Sequence, residues 1–300
     1  MLRFAFMFAA STLLAVPGVG AVPQGVDIET AATIYQDAGM REQVRASLGT
    51  MPEHIRQMFS AEPAAHLSEQ QLNAVTEAAK RGFRIDVFEA PALSALAANL
   101  DAATVKKAEA FLAGDLGRRM VAADVATAAL DEPTIDKIMN GELAAPTTPQ
   151  RDALFDKLER ASRSTESTVQ IFLSMGQAVA IGTAVGAGRD RSAVTDSHKP
   201  GETGRGGLEQ SMREPLRRYL AYSYRGMSDA DLKHLLGYLE SAPGKRYVSA
   251  YIASLGAGFD AMGRRCGEQL GESLRELAQA QLDVPMAGPP PPLAAPVPVK

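Results

Sequence analysis

An all-α fold, a helical bundle built from two related halves that each contain an αα-hairpin, is the architecture this sequence predicts. Three observations carry that expectation. Ala makes up about one residue in six, and Ala costs less in a helix interior than any other residue. No stretch of useful length alternates apolar and polar residues with period two, as a half-buried strand would. A pattern of helix, turn and second helix in residues 100–120 recurs 127 positions later in residues 227–247.

The chain has 300 residues, 46% hydrophobic and 22% charged, enough for a substantial core. The net charge of −4 is small and spread along the chain, which gives no electrostatic reason to expect nucleic acid as a partner. Residues 1–21 have the layout of a cleaved secretory signal. Arg3 supplies the basic start, Phe4 to Val16 the apolar run, and Val19-Gly20-Ala21 the small residues before the cut. The thirteen-residue run is too short for ~30 Å of hydrocarbon, which takes roughly twenty residues. Cleavage near Ala21 sends the mature chain to the periplasm or outside the cell, with its net charge shifted by one unit to −5.

Helix starts follow in order along the mature chain. Thr50-Met51-Pro52-Glu53 and Ser68-Glu69-Gln70-Gln71 are capping boxes, and Thr148-Pro149 precedes a run in which Leu154, Leu158 and Ala161 share a face. Each cap oxygen can take up an N–H group that the first helical turn leaves unpaired. The halves are placed at residues 22–145 and 146–282. Residues 189–207 are polar and glycine-rich and read as a mobile loop; the proline-rich tail 283–300 cannot continue a helix and reads as extended.

The repeat aligns without gaps. Asp101 and Ser228 are N-caps, and Val105, Ala108 and Leu112 match Leu232, Leu235 and Leu239 as a stripe on one helical face. Phe111 matches Tyr238, and Arg118-Arg119 matches Lys245-Arg246. Gly117 matches Gly244, where a left-handed glycine is expected to end the first helix of each hairpin. Val121, Val125 and Ala126 then match Val248, Ile252 and Ala253. Every matched position has a packing or backbone reason, so the repeat is structural rather than catalytic.

The run "LGYLESAPGKRY" resembles the signature of the domain of unknown function 2059 family, exported bacterial helical domains. That signature has a helix ending in an aromatic residue, then Ser-Pro-x-Gly and a basic residue; Tyr238, Ser241, Gly244 and Lys245 stand in comparable places. Pro243 is displaced by one position, and the first copy has neither Ser nor Pro there. The resemblance is best over residues 208–265 and weak over 60–130. It implies an exported helical domain and no particular activity.

The chain offers no catalytic, cofactor-binding or metal-ligating set. His54, His66, His198 and His234 are scattered, without HExxH, CxxC or a histidine pair at i, i+4. GxSxG and SxxK are missing, and "APGKR" lacks the remainder of a phosphate-binding loop. Asp229 and Asp231 suit a helix N-terminus and are too few oxygens for calcium. Cys266, the single cysteine, is either a thiol activated by Arg264 and Arg265 or a small apolar filler.

Residues 167–188 are uncharged, with Gly176, Ala180, Ala184 and Gly188 at every fourth place and Gly182-x3-Gly186 between them. Small residues on one face let two helix backbones approach. The segment is a central buried helix or a membrane contact. The leading functional expectation is an exported non-catalytic binding or interaction module for a protein or an apolar ligand, needing no cofactor. The alternatives are a membrane-associated envelope protein using residues 167–188 and, third, a hydrolase-type enzyme without a recognisable motif.

Overall fold

The computed structural model describes residues 25–49, 51–60, 68–190 and 202–282. The signal segment 1–21, the Thr50 cap, His66, the loop residues 191–201 with His198, and the tail 283–300 lie outside the described residues. Among the described residues there are thirteen helices and no strand, the all-α class expected from composition and pattern. In chain order they are α1 (Ile28–Asp37), α2 (Met40–Leu48), α3 (Met51–Ser60), α4 (Glu69–Gly82) and α5 (Ile85–Asn99). Then come α6 (Ala102–Leu112), α7 (Asp115–Ala128), α8 (Glu132–Asn140) and α9 (Pro149–Ser162). The chain ends with α10 (Ser164–Gly186), α11 (Glu202–Ser223), α12 (Asp229–Glu240) and α13 (Ala242–Leu282).

Local chemistry sets many of these boundaries. Ser68 and Gln71 form a reciprocal capping box at α4, and Ser228 and Asp231 form another at α12. Asp101 accepts the Thr104 N–H at 2.7 Å to open α6, and Thr148 accepts that of Arg151 at 3.2 Å to open α9. Such caps contribute about 1 kcal/mol each. Arg163 breaks the chain direction between α9 and α10 with a left-handed φ of 55°, the one non-glycine residue there among the described residues.

The main core draws on both sides of residue 145. Ile34, Phe88 and Leu96 pack with Leu255, Phe259 and Met262, and the Phe88 and Phe259 rings meet edge to face at 5.2 Å. At the centre stands α13, 41 residues and about 60 Å long. It touches α4, α5, α6 and α10.

Both hairpins of the repeat are present, α6–α7 and α12 with the start of α13. They face each other through equivalent residues. Phe111 and Tyr238 stack at 4.0 Å with ring planes 2° apart. Arg119 forks onto Asp231 at the start of α12, and Arg246 pairs with Asp101 at the start of α6. Arg119 and Arg246 are themselves repeat equivalents, so each hairpin grips the N-terminal turn of the other.

The repeat glycines do different work from that expected. Gly117 and Gly244 lie in the first turns of α7 and α13 with helical φ, and do not end the preceding helices. A Cβ would stand 2.1 Å from the Phe111 carbonyl oxygen at Gly117, and 1.9 Å from that of Tyr238 at Gly244. Glycine is needed for close approach to the end of the previous helix, not for a left-handed turn. Ser241 is the N-cap of α13 instead: it takes the Gly244 N–H at 3.1 Å. Residues 202–207, expected in the loop, form the first turns of α11. Arg205 bonds Glu209 at 2.9 Å and Gln170 of α10 at 2.9 Å, which helps hold the glycine-rich turns helical.

The uncharged segment is α10, and it runs parallel to the second half of α13. Gly263 meets Met175, Gly267 meets Val179, and Gly271 meets Thr183. On the other side, a Cβ at Gly182 or Gly186 would come within 2.3 Å or 2.1 Å of the Arg264 or Glu268 carbonyl oxygen. The glycine face of α10 is therefore covered by a second glycine series, Gly263-x3-Gly267-x3-Gly271. Val169 and Leu173 on another face of α10 pack with Met212 and Leu216 of α11.

Candidate functional site

A cavity lies beside the first turns of α13 and is lined also by residues of α2, α7, α9, α10, α11 and α12. Several of its wall side chains are large with polar ends. On α7, Met120, Asp124 and Ala128 follow one another at i, i+4, i+8 and so share a face. On α13, Tyr247 and Tyr251 are likewise one turn apart, and they occupy in the second copy of the repeat the places of Met120 and Asp124 in the first. Tyr219 comes from α11 and Tyr224 from the turn after it, while Leu235 and Leu239 of α12 supply apolar wall. These groups enclose a cavity of about 150 Å³ that opens to solvent. Its floor includes Gln43 of α2, so the wall takes residues from both sides of residue 145.

Among the described residues, Asp124 is the only ionisable carboxylate on this wall, and neither Lys, Arg nor His lines it. The Tyr224 hydroxyl donates to its Oδ2 at 3.2 Å. Asp124 retains some accessible surface, and it borders the cavity. Desolvation nonetheless pushes its carboxyl up to about 7, opposed in part by the Tyr224 hydrogen bond. Burial first, and then the Asp124 charge, raise the phenols of Tyr219, Tyr224 and Tyr251 above the ordinary tyrosine value. Tyr251 donates to Gln43 Oε1 at 3.4 Å, and the Gln43 amide donates to the Ala38 carbonyl at 3.1 Å, fixing the amide orientation. Ser164 also lines the cavity; its hydroxyl is buried and has no hydrogen-bond partner.

The one group near neutrality, Asp124, has a phenol beside it. No cluster of three or more His, Cys, Asp or Glu residues able to hold a metal occurs among the described residues. The residues singled out from the sequence lie elsewhere. Cys266 is buried against α4, where Gly82 leaves room for its backbone, and burial pushes its thiol up to about 12. That is the apolar filler rather than the activated thiol. His234 is on the exposed side of α12. Asp229 pairs with Arg151 at 2.6 Å, and Arg151 also caps the carbonyls of Tyr224 and Met227. Asp231 accepts from Arg119 and Ser228, which hold it well below the usual carboxylate range.

The sequence reading missed Asp124 and its tyrosines. Six of the seven tyrosines fall within residues 219–251, and Asp124 interrupts "VAADVATAAL" on an apolar face; those two irregularities were the available signals. Comparison of the chain with protein-family models, curated proteins and solved structures finds no match. Fold and cavity together define a class: an all-α protein with a polar-centred cavity beside its hairpins.

Proposed function

We propose that this is an exported, non-catalytic binding protein that admits a small, largely apolar molecule to the Asp124 cavity. The carrying observation is the cavity itself, where helices are held apart around Asp124 and an unpaired Ser164 hydroxyl instead of packing shut. A space of ~150 Å³ is enough for a molecule of benzene's size. The signal-like N-terminus and the resemblance of residues 208–265 to the domain of unknown function 2059 family support export. Mass spectrometry of envelope protein is expected to find Val22 first; an intact Met1 on cytoplasmic protein overturns the location.

Binding is read through tyrosine emission, since the chain has no Trp and four of its seven tyrosines line the cavity. Addition of the neutral alcohol 3,3-dimethylbutan-1-ol is expected to change that emission and raise Tm. Ala128→Phe, which fills the cavity, is expected to remove both effects. An equal response from the filled variant defeats the proposal.

A second reading has its own observation. The α10 helix is the one among the described residues that is long and apolar enough to cross a membrane. Coverage of Gly182 and Gly186 by α13 supports α10 as a core helix instead. Carbonate extraction separates the two: release into the supernatant supports the core helix, retention in the pellet the membrane contact.

A further inference from the structure

We infer that the ligand of the Asp124 cavity is a small organic monocation, an alkylammonium or quaternary ammonium compound, bound by the carboxylate and the surrounding tyrosine rings. This rests on the cavity being a binding site, as proposed above, and adds the charge of what enters it.

Three features of the wall lead to that chemistry. The first is charge. Asp124 is a carboxylate with no cationic neighbour in the cavity, and Tyr224 is its one hydrogen-bond partner among the described residues. Buried carboxylates are ordinarily matched by a cationic side chain. Among the described residues, the cavity wall supplies none.

The second is the lining. Tyr219, Tyr224, Tyr247 and Tyr251 surround that space, with the Tyr247 and Tyr251 rings 6.1 Å apart and inclined by 44°. Tyrosine faces attract a cation through the ring quadrupole, and they take the alkyl groups of an ammonium compound as readily as any apolar wall. An anion would meet Asp124 and be repelled by it. The third is size: about 150 Å³ accommodates a compound of choline's size.

Among the described residues, the groups facing Asp124 are those four phenols and, from the remaining elements, uncharged side chains. They are Gln43 on α2, Ser162 on α9, Ser164 on α10 and leucines on α12. Beyond the wall, the Asp37 charge at the end of α1 also acts on Tyr247. Occupancy by a cation therefore depends on the ionisation of Asp124 alone in the range where its carboxyl titrates, near 7. The free carboxyl is about one-tenth ionised at pH 6 and nine-tenths at pH 8, so affinity for a permanent cation is expected to fall about tenfold between pH 8 and pH 6.

The test is calorimetric titration of the full-length protein with choline and with its uncharged isostere 3,3-dimethylbutan-1-ol, at both pH values. Choline is expected to bind more tightly than the alcohol at the higher pH and to lose that advantage at the lower one. The alcohol is expected to show no decline with acidification. Asp124→Asn, which keeps shape and removes charge, is expected to equalise the two ligands; Tyr251→Phe, which keeps the ring, is expected to retain the preference for choline. An alcohol that binds as tightly as choline at the higher pH overturns the cation assignment and leaves the binding cavity standing. Failure of both compounds to bind at millimolar concentration overturns both.

Discussion

The two ends of α13 live in opposite packing regimes. Towards its C-terminus, Gly263, Gly267 and Gly271 lie against α10 so closely that an added Cβ would come within 2.1–2.9 Å of α10 carbonyl oxygens. Towards its N-terminus, Tyr247 and Tyr251 border the Asp124 cavity. One helix thus serves as a close-packed spine over one length and as a cavity wall over another. The difference lies in side-chain volume and polarity. Glycine removes everything between two backbones, and dispersion then favours closure. Tyrosine cannot be folded away, and its hydroxyl must find a polar partner, so helices bearing it are kept apart around shared polar groups.

The sharpest way to break this contrast is at the seam. Gly267→Leu places a side chain where even a Cβ would stand 2.1 Å from the Val179 carbonyl oxygen. A loss of more than about 3 kcal/mol is expected by denaturant unfolding, because backbone cannot yield as a side-chain end does. A full-stability variant would mean that α10 and α13 are not in this contact.

In the first turn of α13, ahead of both regimes, Gly244→Ala faces the Tyr238 carbonyl oxygen at 1.9 Å. About 2 kcal/mol of destabilisation is expected, with a similar cost for Gly117→Ala if the hairpins are equivalent. Unequal costs would argue that the repeat is a likeness of sequence rather than of packing.

At the cavity the sign reverses. The Asp124 carboxyl is raised in the folded state, so folded protein holds a proton that unfolded protein has lost between the ordinary Asp value and about 7. Stability therefore falls as pH rises through that window, and the penalty is complete above it. Asp124→Asn is expected to stabilise the protein by about 2 kcal/mol at pH 8, after allowance for solvent reaching the carboxyl, and by less than half as much at pH 5. Urea unfolding at both pH values measures this. A destabilised Asn variant at pH 8 would show that the carboxylate has a cationic partner in the folded state.

The smallest expected effect sharpens the comparison along the same helix. Gly256 of α13 has nothing within 4 Å of where its Cβ would be. Gly256→Ala is expected to stabilise by roughly 0.5–1 kcal/mol through helix propensity alone, read as a higher midpoint without a change in slope. Four glycines of one helix, Gly244, Gly256, Gly267 and Gly271, would then separate into those required by contact and one that is not.

Much of this was readable along the chain because it is local. A cap acts on an N–H three residues ahead, so Ser68, Asp101, Thr148 and Ser228 announced their helices without reference to the rest of the molecule. The stripe Leu232, Leu235, Leu239 marked an inward face for the same reason. Gly182 and Gly186 signalled a close helix neighbour, but not which one; Gly263, Gly267 and Gly271 carry the same spacing and went unpaired with them. The repeat glycines were misread because a glycine after a helix suits a left-handed turn and a close carbonyl approach equally well in sequence.

Caps, helical faces and the hairpin repeat are determined by residues a few positions apart, and the sequence by itself was sufficient for them. The cavity joins Gln43, Asp124, Ser164, Tyr224 and Tyr251, which stand far apart in the chain. An aspartate among alanines reads as a solvated helix residue until α11 and α13 are brought over it. Only tertiary packing decides that its carboxyl is desolvated, because desolvation depends on which surfaces exclude water from the group, and those surfaces belong to distant parts of the chain.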